Sequence, residues 1–346
     1  MNAKGLKLAP VCRPNRLLLV GGVLVAAGLL ARFARRPYDL RGKVVLITGG
    51  SRGLGLLLAR EVASRGAKVA ICGRDKATLD RAAKDLEHRG ASVLTVACDV
   101  TRQDDVRNMI RRVVDEWGRV DVLINNAGII QSGPVEVMTL DDYRTAMDTH
   151  YWGPLYAILE LLPSMRRRRA GRIVNVSSIG GKLSVPHLLP YSASKFALVG
   201  LSEGLRAELA KDGIVVTTVC PGLMRTGSPR NALFKGKHRA EYAWFSISDS
   251  LPGASISAEL AARQIVRACC RGDAEVILSL PAIAAQKAHG LAPGMVSTVL
   301  GWVNRLLPSA GGIGERSALG HQSQSRWSPS LLTALTERAA ARNNEL

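Results

Sequence analysis

Seven short runs of apolar, mostly β-branched residues recur along the chain from residue 43 onward. Strands without polar alternation are typical of parallel sheets that are buried on both faces. The runs read KVVLIT, KVAIC, SVLTVA, VDVLIN, RIVNVS, IVVTTV and EVILSL. Segments with helical spacing lie between them, at 53–65, 75–89, 103–117, 140–165, 191–211 and 258–271. The pattern predicts an α/β fold of Rossmann type, a doubly wound seven-stranded parallel sheet whose ligand crevice lies at the carboxyl ends of the strands.

The regions on either side of this pattern differ from it in character. Residues 1–40 combine basic and apolar residues, and we predict an anchor segment and linker there, ahead of a single catalytic domain at 41–280. Residues 281–308 are apolar and broken by Gly and Pro, which is consistent with a helical hairpin on the substrate side or against a membrane. The remainder of the extension 281–346 is predicted to be a loosely ordered tail, with 330–344 as a candidate terminal helix.

The apolar run at residues 17–31 is flanked by arginines on both sides. A spanning helix needs roughly 20 apolar residues and tolerates about 17, and snorkelling of the flanking arginines can extend a run that is too short. A cleaved secretory signal is the alternative, but no small-residue cleavage site follows the run. We expect a single uncleaved membrane anchor with the catalytic domain facing the cytoplasm, and peripheral attachment from the cytoplasm as the alternative. The basic residues on both flanks do not decide the topology.

Composition narrows the classes of partner. The 346-residue chain has a formal net charge of +19, with basic residues concentrated before residue 44 and in MRRRRAGR. The other basic residues are scattered without aromatic interleaving, so no nucleic-acid partner is predicted, and an anionic membrane surface accounts better for the N-terminal cluster. The six cysteines form no C-x-x-C pair and several stand in apolar runs. Buried thiols in a reducing compartment are expected, with no disulfide framework and no metal site.

The first apolar run leads into a glycine-rich turn, TGGSRGLG, at residues 48–55. Glycines allow a tight turn and a close approach of the backbone to a pyrophosphate, which the N-terminus of the next helix stabilises. Many strand-to-helix turns contain glycines, but this one follows the first strand of a parallel α/β pattern. We therefore predict a nucleotide site formed by Gly49, Ser51, Arg52, Gly53, Leu54 and Gly55.

The end of the second run, ICGRD, bears on which nucleotide binds. An acidic residue there would hold the ribose 2′-hydroxyl of NAD. Cys72 stands in that position instead, Arg74 follows it, and Arg52 adds a second cation. Two arginines favour the 2′-phosphate of NADP through charge-assisted hydrogen bonds. The alternative is that both arginines are solvated and Asp75 pairs with Arg74. We expect NADP, with NAD as the less favoured cofactor.

The stretch PYSASKF at residues 190–196 places Tyr191 and Lys195 four positions apart, on one face of a helix. Taken alone, this spacing is more typical of an ordinary amphipathic helix with one aromatic residue and one solvated charge. A free phenol has a pKa near 10, which is too high for proton transfer at neutral pH. A lysine ammonium about 4 Å away contributes roughly 4 kcal/mol at an effective dielectric of about 20. At about 1.36 kcal/mol per pKa unit, Lys195 is expected to lower the tyrosine pKa by up to about three units.

The ordered motifs TGGSRGLG, CDV, NNAG, VSS, YSASK and PGLMRT make the chain resemble the short-chain dehydrogenase/reductase family over roughly residues 41–280. The resemblance implies that Tyr191 exchanges a proton with a substrate oxygen held by Ser178 while hydride moves, and that Lys195 also binds the nicotinamide ribose. It implies the further cofactor contacts Asp99 and Val100 at the adenine, Asn125, Ala127 and Gly128 beside the cofactor, and Pro221, Gly222 and Thr226 at the nicotinamide.

One position departs from the family pattern. The family usually has an asparagine three residues before a glycine on the central helix, where it positions a proton-relay water. In MDTHYWGP the glycine is Gly153, so the corresponding residue is His150. Imidazole can hold the same water and would add pH sensitivity. A neutral structural histidine, with the relay displaced or lost, is the alternative, and the sequence does not choose between them.

These features lead to one functional hypothesis and two rivals. We expect a membrane-associated, NADP-dependent oxidoreductase acting on a carbonyl/alcohol pair, with a lipophilic substrate suggested by the anchor and by residues 281–308. The family resemblance of helices 140–165 and 191–211 implies a homodimer or homotetramer. One rival is a non-catalytic NADP-binding scaffold or sensor, which the departure at His150 favours and the intact Ser178, Tyr191 and Lys195 oppose. The other, a nucleic-acid binder, would require salt-dependent binding of DNA that survives removal of residues 1–42.

Overall fold

The structure, a computed structural model, describes residues 37–346. Each of the seven apolar runs contains one strand of a central sheet, and five shorter strands flank it. The strands are β1 (Val44–Thr48), β2 (Lys68–Gly73), β3 (Val93–Ala97), β4 (Val122–Asn125), β5 (Gln131–Ser132), β6 (Gly171–Val176), β7 (Ile214–Pro221), β8 (Met224–Arg225), β9 (Leu233–Phe234), β10 (Ile256–Ser257), β11 (Glu275–Leu278) and β12 (Ala318–Leu319).

The central sheet has the order β11-β7-β6-β4-β1-β2-β3, and all of its pairings are parallel. Ile47 of β1 stands beside Ile71 of β2 on one side and Ile124 of β4 on the other. The strands that directly follow β1 in the sequence, β2 and β3, therefore lie on one side of it, and β4, β6, β7 and β11 lie on the other side. This reversal creates a crevice at the carboxyl ends of the central strands. The predicted seven-stranded, doubly wound parallel sheet is confirmed.

The predicted helices are present, with ends that differ by a few residues. The helices are α1 (Gly53–Ala63), α2 (Lys76–His88), α3 (Gln103–Trp117), α4 (Leu140–Met147), α5 (Gly153–Arg168), α6 (Leu189–Leu209), α7 (Ser228–Asn231), α8 (His238–Ser250), α9 (Ala258–Arg271), α10 (Leu280–Leu291), α11 (Pro293–Asn304) and α12 (Ala334–Arg342). The helix expected at 140–165 is two helices joined by a π-helical turn, Asp148–Trp152.

Both faces of the sheet are covered, as the unalternating strands require. Every residue of β1 is buried. Ile47 packs in the cluster that contains Leu58 of α1 and Ile265 of α9. Leu46, pointing the opposite way, packs with Met109 of α3 and residues of α5. Two separate cores therefore hold the strand ends in fixed positions.

The C-terminal part of the described chain packs back onto the domain. Strand β12 pairs with β9, and α12 lies within the segment 330–344 that was a candidate terminal helix. The apolar stretch 281–308 forms α10 and α11. Among residues 37–346, no helix combines the length and the apolar character that crossing a bilayer requires. The anchor predicted at 17–31 lies outside the described residues.

Candidate active site

The glycine turn that follows β1 is shaped by close contacts. Gly49 and Gly53 have positive φ angles of 64° and 55°, which favour glycine. A Cβ on Gly55 would lie 2.0 Å from the Gly49 carbonyl oxygen, so α1 begins in direct contact with the end of β1. The Asn126 side-chain amide donates to the carbonyls of Thr48 and Gly49, both at 3.1 Å. The turn is therefore fixed from the neighbouring strand β4.

A single cleft of about 460 Å³ extends from this turn across the carboxyl ends of the strands. All but one of the residues predicted for the site line it: Gly49, Ser51, Arg52, Gly53, Leu54, Gly55, Arg74, Asp99, Val100, Ala127, Gly128, His150, Ser178, Tyr191, Lys195, Pro221, Gly222 and Thr226. The exception is Asn125, which is buried in β4 and donates to the Asn175 side-chain oxygen at 2.8 Å. Asn125 joins two strands, and the adjacent Asn126 is the asparagine that lines the cleft.

Tyr191, Lys195 and Ser178 meet at the other end of the cleft. Tyr191 and Lys195 stand one turn apart on α6, and Ser178 follows β6, where its hydroxyl accepts a hydrogen bond from the Gly180 amide at 3.0 Å. The Lys195 ammonium donates to the Val176 carbonyl at 3.0 Å and lies 5.6 Å from the centre of the Tyr191 ring. The three side chains thus converge from one helix and the end of one strand.

His150 lies in the π-helical turn behind this group, with its ring edge-to-face against Tyr191 at 5.4 Å. Its Nε2 accepts from the Ile129 amide at 3.1 Å, so the ring proton is on Nδ1, which donates to the Ser194 hydroxyl at 2.7 Å. Ser194 in turn donates to the Tyr191 carbonyl at 2.8 Å. Because both ring nitrogens have protein partners, this arrangement favours the structural alternative for His150 over a water-holding role.

Sequence and structure comparisons agree with this geometry. The short chain dehydrogenase family profile matches residues 43–233. The chain belongs to the short-chain dehydrogenase/reductase family. It is 34% identical over 267 residues to the dehydrogenase/reductase SDR family protein 7-like of Anopheles gambiae, covering 76% of this chain and 83% of that protein. It is 31% identical over 264 residues to dehydrogenase/reductase SDR family member 7B of Danio rerio, covering 75% and 84%. The crystal structure of a short-chain dehydrogenase from Streptomyces avermitilis superposes with a TM-score of 0.66 at 32% identity, over 76% of this chain and 98% of the other.

Members of the short-chain dehydrogenase/reductase family are oxidoreductases that bind NAD(P), and the nucleotide end of the cleft fits such a cofactor. The first-turn amides of α1 have no partners within the helix, and Arg52 and Arg74 line the same end of the cleft. Cys72, in the position where an acid would select NAD, is fully buried. Asp75 accepts from the Thr78 amide at 2.7 Å and caps α2. Asp75 therefore does not act only as an ion-pair partner for Arg74.

Burial shifts the pKa values of the side chains at the end of the cleft where Tyr191, Lys195 and His150 lie. Desolvation raises the pKa of Tyr191 to about 12, although the Ser178 hydroxyl opposes the rise. Desolvation also lowers the pKa of Lys195 to about 8. The pKa of His150 is well below its usual value because of burial and the nearby Lys195 charge, so the imidazole is neutral. The lowered pKa expected for Tyr191 is wrong, because desolvation of the phenol dominates and raises the pKa.

Several residues of the cleft were not predicted from the sequence. They are chiefly Asn231, Trp244, Phe245, Asp249 and Glu345. Asp249, near the end of α8, is 4% exposed, and burial raises its pKa well above the usual value. Its charge would also raise the Tyr191 pKa, so Asp249 lies near Tyr191. Asp249 and Glu345 lie outside any motif, so no signal in the sequence indicates them.

Proposed function

We propose that the protein is an NADP-dependent oxidoreductase that interconverts a carbonyl and an alcohol, with Tyr191 as the general acid/base. The observation that carries this proposal is the convergence of Ser178, Tyr191 and Lys195 at one end of a cleft whose other end is a glycine turn at a helix N-terminus. A scaffold that only binds the nucleotide has no need for the three polar side chains in one place.

The roles of these residues follow from their chemistry. NADPH supplies the hydride when bound. Ser178 and Tyr191 would bind the substrate oxygen by hydrogen bonds, and Tyr191 would donate the proton that the oxygen needs as the carbonyl becomes an alcohol. A phenol with a pKa of about 12 is protonated at neutral pH, which suits proton donation and hence reduction. Lys195 would hold the nicotinamide ribose and stabilise the tyrosinate that remains.

The direct test is NADPH oxidation by the purified full chain against aliphatic, aromatic and steroid ketones. We expect turnover of at least one class. Tight NADPH binding without turnover of any of them would favour the scaffold alternative. In that case His150→Asn, which restores the usual family residue, tests whether the missing relay is the cause.

We predict that Arg74→Ala weakens NADPH binding about tenfold or more and leaves NADH binding unchanged. Charge-assisted hydrogen bonds contribute about 1.5–3 kcal/mol, and only NADPH carries the 2′-phosphate. Arg74 lines the cleft, and Arg52, the second cation there, donates to Asn231 at 2.8 Å. Titration calorimetry with both nucleotides measures the effect. Arg89→Ala, at the far end of α2, is the control, and an equal loss for NADH would contradict the assignment of Arg74.

The substrate end of the cleft supports a lipophilic substrate that carries a further polar group. Its walls include Val185, Leu188, Trp244 and Phe245. Asp249 is the exception, a buried carboxyl on the same wall that has no hydrogen-bond partner among the described residues. An unpaired buried polar group costs about 1–3 kcal/mol. We therefore infer that a hydroxyl or amine of the substrate pairs with Asp249. The test compares the activity on two matched ketones, one with such a group and one without it. If the ratio of the two activities is the same in Asp249→Leu as in the wild type, the pairing with Asp249 is ruled out.

We also propose that α10 and α11 rest on an anionic lipid surface. Leu280, Leu291 and Leu306 are 81%, 88% and 86% exposed, and Trp302 is 60% exposed. Residues 276–314 contain no Asp or Glu, while Lys287 is cationic. This pair of helices starts beside the cleft, since a Cβ on Gly222 would lie 2.9 Å from the Ala282 Cβ. A substrate dissolved in the membrane would thus reach the nicotinamide end directly.

Hydrogen exchange with the full chain tests this contact separately from any anchor at 17–31. We predict that vesicles of phosphatidylcholine and phosphatidylglycerol slow exchange in residues 280–306 and leave α4 unaffected. The double variant Leu291→Asp and Trp302→Asp should lose the protection, because charged side chains resist transfer from water. Leu260→Asp, at an exposed leucine of α9, is the control. If the protein co-floats with the vesicles but the hydrogen exchange of residues 280–306 is unchanged, the proposed contact is refuted.

We propose, finally, a homodimer or homotetramer formed through α4, α5 and α6. Exposed apolar side chains on this surface support it, with Leu159 at 53% and Phe196 at 40% exposure. A monomer in sedimentation velocity at micromolar concentration would contradict this assembly.

A further inference from the structure

Residues 343–345, which we call the Asn-Asn-Glu segment, lie across the nucleotide end of the cleft. The Asn343 carbonyl accepts from the Gly53 amide at 2.9 Å. The Asn344 side chain donates to the carbonyls of Ser51 at 2.8 Å and Thr78 at 3.0 Å. The Glu345 carboxylate accepts from the Gly227 amide at 2.6 Å. Three consecutive residues thus bind the glycine turn, α2 and the residue that follows Thr226.

The Glu345 carboxylate stands in surroundings that favour any anion. It lines the cleft and its residue is only 8% exposed. A Cβ on Gly53 would lie 2.9 Å from the Glu345 Oε1, so the carboxylate is against the turn at the start of α1. Arg52, which also lines the cleft, acts on it electrostatically. A helix N-terminus, a backbone amide and a guanidinium are the groups that bind phosphates.

The segment therefore uses the groups that a dinucleotide needs. The Gly53 amide, one of the first-turn donors of α1, is already bonded to Asn343. The backbone at Gly53 can approach a pyrophosphate closely. The space beside Gly53 is next to the Glu345 carboxylate, which is negatively charged like the pyrophosphate. Two anions this close repel each other strongly when they are shielded from water.

We propose that Glu345 determines the affinity for the nucleotide, because its carboxylate occupies the anion position of the glycine turn and competes with the cofactor pyrophosphate. The Asn-Asn-Glu segment is then displaced, or Glu345 is protonated, each time the nucleotide binds. This inference rests on the proposed nucleotide-binding function and adds a residue to it.

The competition depends on pH because Glu345 titrates close to neutrality. Burial raises its pKa to about 7, against the lowering by the Gly227 amide and Arg52. Other charged groups surround the segment. Arg60 donates to Asn343 and Arg81 donates to Asn344, and Asp85 pairs with Arg60. Asp75 lies near Arg52, and Arg230 of α7 pairs with Glu337 of α12. Below the pKa of Glu345 the carboxyl is neutral and does not repel phosphate. Above it, each pH unit makes the neutral form ten times rarer.

The test is NADPH binding to the full chain, measured by calorimetry at about pH 6 and about pH 8.5. Glu345→Gln keeps an oxygen that accepts from Gly227 and removes the charge. We expect it to bind NADPH about 10- to 30-fold more tightly than the wild type at the higher pH, and within about twofold at the lower. The 2′-phosphate of NADPH titrates in the same range, but it does so for every variant, so the ratio to wild type isolates Glu345.

Two further variants complete the test. Asn344→Ala, which releases the segment from Ser51 and Thr78, should tighten binding at both pH values. Glu337→Gln on α12 removes a carboxylate outside the cleft and should change nothing. NADPH should also accelerate hydrogen exchange in residues 340–346 of the wild type. If Glu345→Gln binds NADPH equally or more weakly at both pH values, Glu345 is no competitor and the inference fails. If no variant binds NADPH or NADH, the proposed function itself is wrong.

Discussion

Tyr191→Phe is expected to reduce kcat/KM for ketone reduction by about 10³-fold while leaving NADPH binding unchanged. The substitution removes one hydroxyl from a partly buried side chain that lines the end of the cleft. Loss of a positioned general acid typically costs about 10²–10⁴ in rate. The rate is measured as NADPH oxidation with the best ketone of the panel. The affinity is measured in parallel by calorimetry.

Tyr156→Phe is the matched control for this prediction. Tyr156 stacks on Trp152 with ring centres 6.2 Å apart and does not line the cleft. Its variant should keep wild-type activity. A Tyr191→Phe variant that retains more than about a tenth of the activity would show that another group delivers the proton. A variant that loses activity together with NADPH affinity would indicate a binding role for the phenol instead.

The hydrophobic pattern was sufficient to predict the fold because the sheet is buried on both faces. Strands such as β1 and β4 are apolar up to their last residues, Thr48 and Asn125, so each appears in the sequence as a nearly continuous apolar run. Where burial is partial, the pattern was less informative. The π-helical turn at Asp148–Trp152 interrupts a segment whose apolar spacing looks continuous, and α8 was missed because its buried positions include Glu241, Ser246 and Asp249.

The site was predictable where its residues lie close together in the sequence. The glycine turn is a single strand-to-helix connection, and Tyr191 and Lys195 lie on a single helix. Sequence spacing alone therefore brings the residues of each group together. Glu345 reaches Gly227 across 118 positions, and nothing in its local sequence indicates that contact. Asn125 was included for its place in a motif, as a residue that supports the sheet beside the cofactor. The pleat of β4 turns it toward Asn175, so it joins two strands and does not line the cleft.

Charge arguments from sequence failed where desolvation matters. A pairwise estimate for Tyr191 and Lys195 considers their attraction but not the loss of water around each group. In the folded protein, burial disfavours both charged forms, so the phenol pKa rises and the ammonium pKa falls. Reduction remains compatible with these directions, because it needs a protonated phenol and a charged lysine, and both are present below about pH 8.

The titration of Lys195 leads to the second large effect. Because the pKa of Lys195 is lowered to about 8, its charge is present below that pH and is lost above it. We predict that kcat/KM for the ketone, measured at saturating NADPH so that the titration of Glu345 does not contribute, is constant on the acid side and falls about tenfold per pH unit on the alkaline side. Lys195→Met should lower kcat/KM by about 10²–10³ at neutral pH and abolish this alkaline fall. The measurement is the pH profile of NADPH oxidation for both proteins.

Folding effects can be separated from the loss of charge. Lys195→Met leaves the Val176 carbonyl without its donor, which costs about 1–3 kcal/mol of stability, so thermal unfolding of the variant is recorded alongside its rates. Lys211→Met, at an exposed lysine beyond α6, should keep both the rate and the profile. A wild-type profile that stays level through about pH 9.5 would mean that Lys195 keeps its proton despite burial. If Lys195→Met keeps the wild-type alkaline fall, the group that titrates is not Lys195. The buried ammonium would then act by holding the nucleotide rather than by its effect on Tyr191.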